Sequence, residues 1–122
     1  MSRIDETFAR LRAKKKTGLV TYATAGDPDL ARSRTVLEAL DRAGADVLEV
    51  GVPFSDPLAD GPAIQRATER ALAAGTTITS TLDLIAQVRP MVEAAIVVFT
   101  YVNPVLAMGL DTFVRRAVTA GA

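Results

Sequence analysis

Residues 46–65 read DVLEVGVPFSDPLADGPAIQ, and the order of chemistries in this run decides the fold class. Asp46–Val50 is short, apolar and rich in Val and Leu, which is the pattern of a strand covered on both faces. A loop carrying Pro53, Pro57 and Gly61 follows at once, and Pro62 then opens a helix that runs to Ala74 and stops at Gly75. Strand, loop and helix in immediate succession make one β/α unit. Inside the strand stands a carboxylate, Glu49, and the loop adds two more, Asp56 and Asp60. An ionised group among Val and Leu costs several kcal/mol unless it is paired or used. This stretch is therefore where function is expected.

The same unit recurs on either side. Ile4, Phe8 and Leu11 recur at helical spacing and predict a first helix ending near the basic run Lys14–Lys16. Gly18 breaks it, and Leu19–Thr24 reads as a strand. Asp27-Pro28-Asp29 has the form of a helix start, with Asp27 as N-cap and Pro28 in the first turn. That helix places Val36, Leu37 and Leu40 inward and stops at Gly44. After the helix to Ala74, Ser80 and Asp83 resemble a capping box for another helix through Leu82, Ile85 and Val88. Ala94–Tyr101 is a third strand, Asn103-Pro104 a turn, and Leu110–Ala120 a last helix with Phe113, Val114 and Val118 inward.

Strands alternating with helices predict a parallel sheet with right-handed crossovers. The expected fold is α/β: about three parallel strands with crossover helices and an extra N-terminal helix, a pattern that suits the N-terminal portion of a (β/α)8, or TIM, barrel and also an open parallel sheet. Ala43-Gly44-Ala45-Asp46 launches the second strand, and Thr119-Ala120-Gly121-Ala122 echoes it at the end of the chain. A fourth strand is expected to follow, with residues 1–122 as a partial barrel domain truncated before it.

Composition narrows the chemistry. At 122 residues the chain suffices for one domain with a core. It has no Cys and no His, so disulfides, thiolate metal sites and the usual base near neutral pH are excluded, and no metal site is expected. Acid–base work falls to carboxylates, Tyr or Lys. Formal net charge is zero and the bases are dispersed apart from Lys14–Lys16, which points away from nucleic acid. No segment is long and apolar enough to span a membrane, and the charged N-terminus lacks the apolar stretch of a signal peptide. A cytoplasmic location is the expectation.

Alternation along the second strand puts Val47, Glu49 and Gly51 on one face and Leu48, Val50 and Val52 on the other. If Leu48 and Val50 face the helices, Glu49 points to the barrel interior near the C-terminal end of the strand, where such folds place their sites. The competing role for Glu49 is a structural ion pair with a Lys or Arg. Asp60, before Gly61-Pro62, is either a helix-capping acid or a catalytic one. Asp56 in Ser55-Asp56-Pro57 fits a turn. Phe54 and Leu58, apolar in a polar loop, suit ligand or partner contact or core packing. Tyr22 lies close to Glu49 if the first two strands are neighbours, as pocket wall or as core. Thr24-Ala25-Gly26-Asp27 is too poor in Gly for a phosphate cradle.

Three runs together are recognisable: Tyr22-Ala23-Thr24-Ala25-Gly26-Asp27-Pro28; Ala43-Gly44-Ala45-Asp46 with Leu48–Pro62, LEVGVPFSDPLADGP; and Thr100-Tyr101-Val102-Asn103-Pro104. With them the chain resembles the N-terminal part of the tryptophan synthase alpha subunit family, over about half of that family's eight-stranded barrel. Thr21 departs from it, standing where the family often has Pro. The resemblance implies a lyase of tryptophan biosynthesis that cleaves indole-3-glycerol phosphate in a retro-aldol step to indole and glyceraldehyde 3-phosphate. It implies Glu49 and Asp60 as catalytic residues. Glu49 would protonate the ring carbon bearing the side chain, and Asp60 would hold the indole N–H. Tyr22, Phe99 and Tyr101 would bind the substrate. Pro53, Phe54, Asp56, Pro57 and Asn103 would face a beta subunit in an alpha2-beta2 tetramer. No cofactor is implied for this chain, pyridoxal phosphate belonging to the beta subunit. Two other readings stand beside it: a different barrel acting on a phosphorylated indole or sugar, and a non-catalytic half-barrel that self-associates or pairs with another chain.

Overall fold

The computed structural model describes residues 1–122. Helix α1 (Arg3–Ala13) precedes β1 (Val20–Thr24), α2 (Leu30–Arg42), β2 (Val47–Gly51), α3 (Pro62–Ala73), α4 (Ile78–Val88), β3 (Ala95–Phe99), α5 (Val102–Met108) and α6 (Leu110–Ala120). The strands form one parallel sheet in the order β1-β2-β3. β1 and β3 are its two edges. The parallel three-stranded sheet with crossover helices and an extra helix in front is the architecture that the alternation predicted.

Register gives the two faces different tasks. Thr21, Leu48 and Ile96 lie side by side, as do Ala23, Val50 and Val98. Leu48, Val50 and Ile96 join Leu37, Leu82, Ile85 and Val88 in the core between sheet and helices. Each large apolar side chain buried there contributes about 1.5–3 kcal/mol. The other face carries Tyr22, Glu49 and Val97 abreast, with Thr24, Gly51 and Phe99 abreast one step nearer the C-terminal ends. Leu48 and Val50, fully buried under the helices, thus direct Glu49 to the opposite, inner face.

Several local expectations are corrected. The N-cap of α2 is Asp29, whose carboxylate accepts the Arg32 N–H at 2.8 Å. Asp27 instead takes a two-pronged bond from Arg70 of α3, at 2.7 and 3.0 Å. The capping box of α4 is Thr77 with Ser80, so Ser80 is its third residue and not its cap. β3 stops at Phe99, opposite Gly51 at the end of β2, and Thr100 and Tyr101 lie beyond it. Asn103-Pro104 is no turn but lies in the first turn of α5, where proline's missing N–H leaves no bond unmade. Burial on the helices is also narrower than their apolar content. In α2, Ser33 and Leu37 are buried and Leu40 packs on the core, while Val36 is exposed. In α6, Phe113, Ala117 and Ala120 meet the core, and Val114 and Val118 are exposed with Leu110. In α1, Thr7 and Leu11 are buried whereas Phe8 is exposed. A turn of about 100° per residue separates these adjacent stripes, and only one of each pair meets the core.

Candidate functional site

The C-terminal ends of the strands are crowned by the loop from Val52 to Gly61, and the site is built between the two. Tyr22 on β1 pairs in register with Glu49 on β2. Beyond them β2 ends in Gly51, and a Cβ placed there would run into the Tyr22 ring and hydroxyl. The absent side chain lets Tyr22 lean over the central strand. Its ring meets Phe99 of β3 edge-on, with centroids 5.5 Å apart and planes at 85°. Its hydroxyl lies 3.4 Å from the Thr24 hydroxyl.

Glu49 is half-buried. The ion pairs of the structure are Arg32–Asp29, Arg34–Glu38, Arg70–Asp27 and Arg116–Asp83. Glu49 joins none of them, so the structural ion pair allowed by the sequence is not formed.

The loop is wound around Tyr101. Val52 N–H donates to the Phe99 carbonyl at 2.9 Å, fixing the root of the loop beside β3. Phe54 then tilts its ring against Tyr101 at 5.4 Å. Further on, Ala59 N–H donates to the Tyr101 hydroxyl at 2.9 Å. The chain is thereby returned over the strand ends at Asp60. Helix α3 is capped by Gly61 without a side-chain hydrogen bond, so the Asp60 carboxylate is not spent as the helix cap. Asp60, Ala59, Phe99, Thr100 and Tyr101 line a cleft of about 250 Å³. Tyr22 and Glu49 lie outside this cleft, joined to it through the Tyr22–Phe99 contact.

The phenols record the charges around them. Burial pushes Tyr22 above the ordinary value of 10.0; its hydrogen bond with Thr24 opposes this, while Asp60, Tyr101 and Glu49 reinforce it. Tyr101 is also raised, first by lost hydration and then by the neighbouring Asp60, with the Ala59 bond opposing. Both acids thus bear on one aromatic cluster, whose phenols stay neutral where a nearby carboxylate is negative.

Of the remaining loop residues, Pro53 is buried, Phe54 and Pro57 are half-buried, and Asp56 is exposed. Leu58 is 84% exposed, so it is not core. Asn103 is exposed on α5. No group of three or more acidic side chains is placed to hold a metal ion, and no helix is long and apolar enough to cross a membrane. The sequence alone assigns Gly51 and Thr100 no role in the site. A glycine ending a strand signals little until the ring that needs its space is known.

A parallel β/α sheet with two carboxylates and an aromatic cluster at its C-terminal rim defines a protein of the (β/α)8-barrel class, present here as the N-terminal portion. The family model of the tryptophan synthase alpha chain matches residues 8–122. The chain belongs to that family. It is 51% identical over 121 residues to the tryptophan synthase alpha chain of Geotalea daltonii, covering 99% of this chain and 46% of that one. It is likewise 51% identical over 122 residues to the protein of that name from Synechococcus elongatus, again covering 46% of it. Tryptophan synthase subunit alpha from Legionella pneumophila superposes with a TM-score of 0.97 at 45% identity, over all of this chain and 47% of that one. A tryptophan synthase structure from M. tuberculosis gives 0.94 at 41% identity, over 99% of this chain and 48% of the other. The chain therefore spans about half the length of the relatives it matches.

Proposed function

We propose that residues 1–122 are the front part of a single barrel domain whose reaction is the retro-aldol cleavage of indole-3-glycerol phosphate to indole and glyceraldehyde 3-phosphate. A proton is added at the ring carbon that bears the glycerol chain. The hydroxyl on the adjacent chain carbon gives up its proton, and the carbon–carbon bond breaks to leave an aldehyde. Glu49 is the acid and base in this reading. It is half-buried, outside every ion pair, and at the mouth of the inner face. Asp60 accepts the indole N–H and offsets the positive charge that the ring acquires as it is protonated. Tyr22, Phe99 and Tyr101 supply the aromatic wall. No cofactor is needed from this chain.

The observation that carries the reading is the placement of Glu49 in register beside Tyr22, whose ring meets Phe99 on the wall of the cleft that Asp60 lines, in a chain of this family. In the same reading the loop's outer surface, with Asp56 and Pro57, and Asn103 on α5 face a beta subunit holding pyridoxal phosphate. An alpha2-beta2 assembly in the cytoplasm belongs to that proposal. Glu49→Gln keeps the shape of the side chain and removes its proton. Release of indole from indole-3-glycerol phosphate, measured with the beta subunit present, should fall about 10²–10⁴-fold with an unchanged thermal unfolding midpoint. Turnover at the unsubstituted rate would remove Glu49 from this role.

A further inference from the structure

Gln65 lies in the first turn of α3, and its side chain points back at the loop. Its Nε2 donates to the Asp60 carbonyl at 2.9 Å and to the Pro57 carbonyl at 3.3 Å. Both partners are carbonyls, which only accept, so the amide nitrogen and not its oxygen must face them. The two hydrogens of that nitrogen serve both at once. The carbonyls bracket a turn already closed by the Asp60 N–H donating to Pro57 O at 3.1 Å. Gln65 is itself held, its backbone N–H donating to Gly61 O at 3.0 Å.

We propose that Gln65 is a positioning residue for Asp60. It works as one jaw of a clamp whose other jaw is Tyr101. Tyr101 takes the N–H of Ala59, and Gln65 takes the C=O of Asp60. The peptide segment bearing the Asp60 side chain is thus gripped at both ends, from α3 on one side and from the start of α5 on the other. No other residue outside the loop makes a side-chain hydrogen bond to the backbone of residues 57–61. Ser55 and Asp56 are exposed, Leu58 is 84% exposed, and Gly61 brings no side chain to the helix cap. Proline at 53, 57 and 62 fixes φ but leaves ψ free, so the last rotations before Asp60 are set by hydrogen bonds. A carboxylate meant to meet one N–H must hold its place, since a misplacement of about 1 Å can cost 10²-fold in rate.

The catalytic part of the proposal rests on the reading of Asp60 given above, and its test separates the two. Gln65→Met keeps the length and removes both donors; Gln65→Glu keeps the shape and, when ionised, sets an acceptor against two acceptors. Amide exchange in the full chain should quicken at least tenfold at Asp60 in both variants, while the β2 amides Leu48 and Val50 stay protected. In the unsubstituted protein with the beta subunit, turnover sets the reference. Against it, kcat should fall about 10–100-fold in the variants with KM changed by less than about threefold, the mark of an interaction made in the transition state. Exchange at Asp60 unchanged in both variants overturns the clamp, as does a rise in KM with kcat preserved. If the unsubstituted protein, as the complete barrel with the beta subunit, releases no indole, the assigned reaction fails and the exchange result alone decides whether Gln65 holds Asp60. Should Gln65→Met fail to fold, Gln65→Glu carries the same comparisons.

Discussion

Gly51 and Tyr22 decide the inner face together. The hydrogen in place of a side chain at the end of β2 is what lets a ring from β1 reach a ring on β3 across the strand between them. Gly51→Ala should therefore do more than shave stability. The new methyl occupies the space of the Tyr22 ring, which is braced by Phe99 and cannot turn aside freely. An overpacking cost of about 1–3 kcal/mol is expected, read from the urea midpoint. Loss of the Tyr22–Phe99 ring-to-ring nuclear Overhauser effect should accompany it. A midpoint and a ring contact both unchanged would mean that the space at Gly51 is not what sets Tyr22. The residues with chemistry were legible because their types are out of place. Glu49 is acidic inside an apolar strand, and Asp60 sits among Pro and Gly. Gly51 and Gln65 were not legible. Their importance comes from what lies opposite them, and neither type is unusual where it stands.

At the scale of elements, strands and helix bodies followed from periodicity, while helix starts went astray where two polar residues competed for one role. Asp27 and Asp29 flank Pro28, and either fits a cap. The choice fell to Asp29 because Arg70, 43 residues further on, engages Asp27. No local pattern contains that contact. The start of α4 has the same ambiguity, with Thr77, Ser80 and Asp83 spaced so that two capping boxes can be written. The observed box has the Thr77 hydroxyl accepting Ser80 N–H at 3.1 Å and the Ser80 hydroxyl accepting Thr77 N–H at 2.8 Å. Thr77→Ala should cost about 1 kcal/mol in a denaturant titration. Asp83→Ala removes only the exposed pair with Arg116, at 3.4 Å, and should shift the midpoint much less. The reverse order would restore Ser80 and Asp83 as the box. Val114 and Val118 on α6 and Val36 on α2 are exposed for a related reason: an apolar side chain reports preference for burial, and only the neighbouring element decides which stripe receives it.

The molecule as a whole has an unusual titration inventory, and this makes its response to pH a sharp test of the site. With no His and no Cys, it lacks the side chains that ordinarily titrate between about pH 6 and 9. Stability across that range should be nearly flat. The next groups with a resolved displacement on the alkaline side are the two site phenols, Tyr22 and Tyr101, both raised above 10.0 in the folded state. A raised value means that the folded state holds its proton after the unfolded chain has released it. Stabilisation by the neutral phenols is then fully present below about pH 10 and is lost as pH climbs from there through the folded values, the unfolded chain binding fewer protons. The urea midpoint should hold steady from about pH 6 to 9 and decline beyond about pH 10. Tyrosinate absorbance should rise only at higher pH than in the unfolded chain. Asp60→Asn should bring both phenols down together, since that acid raises each of them. An alkaline titration identical in folded and unfolded protein would mean that burial and the neighbouring acids do not raise these phenols, and phenols unmoved by Asp60→Asn would mean that Asp60 does not bear on them.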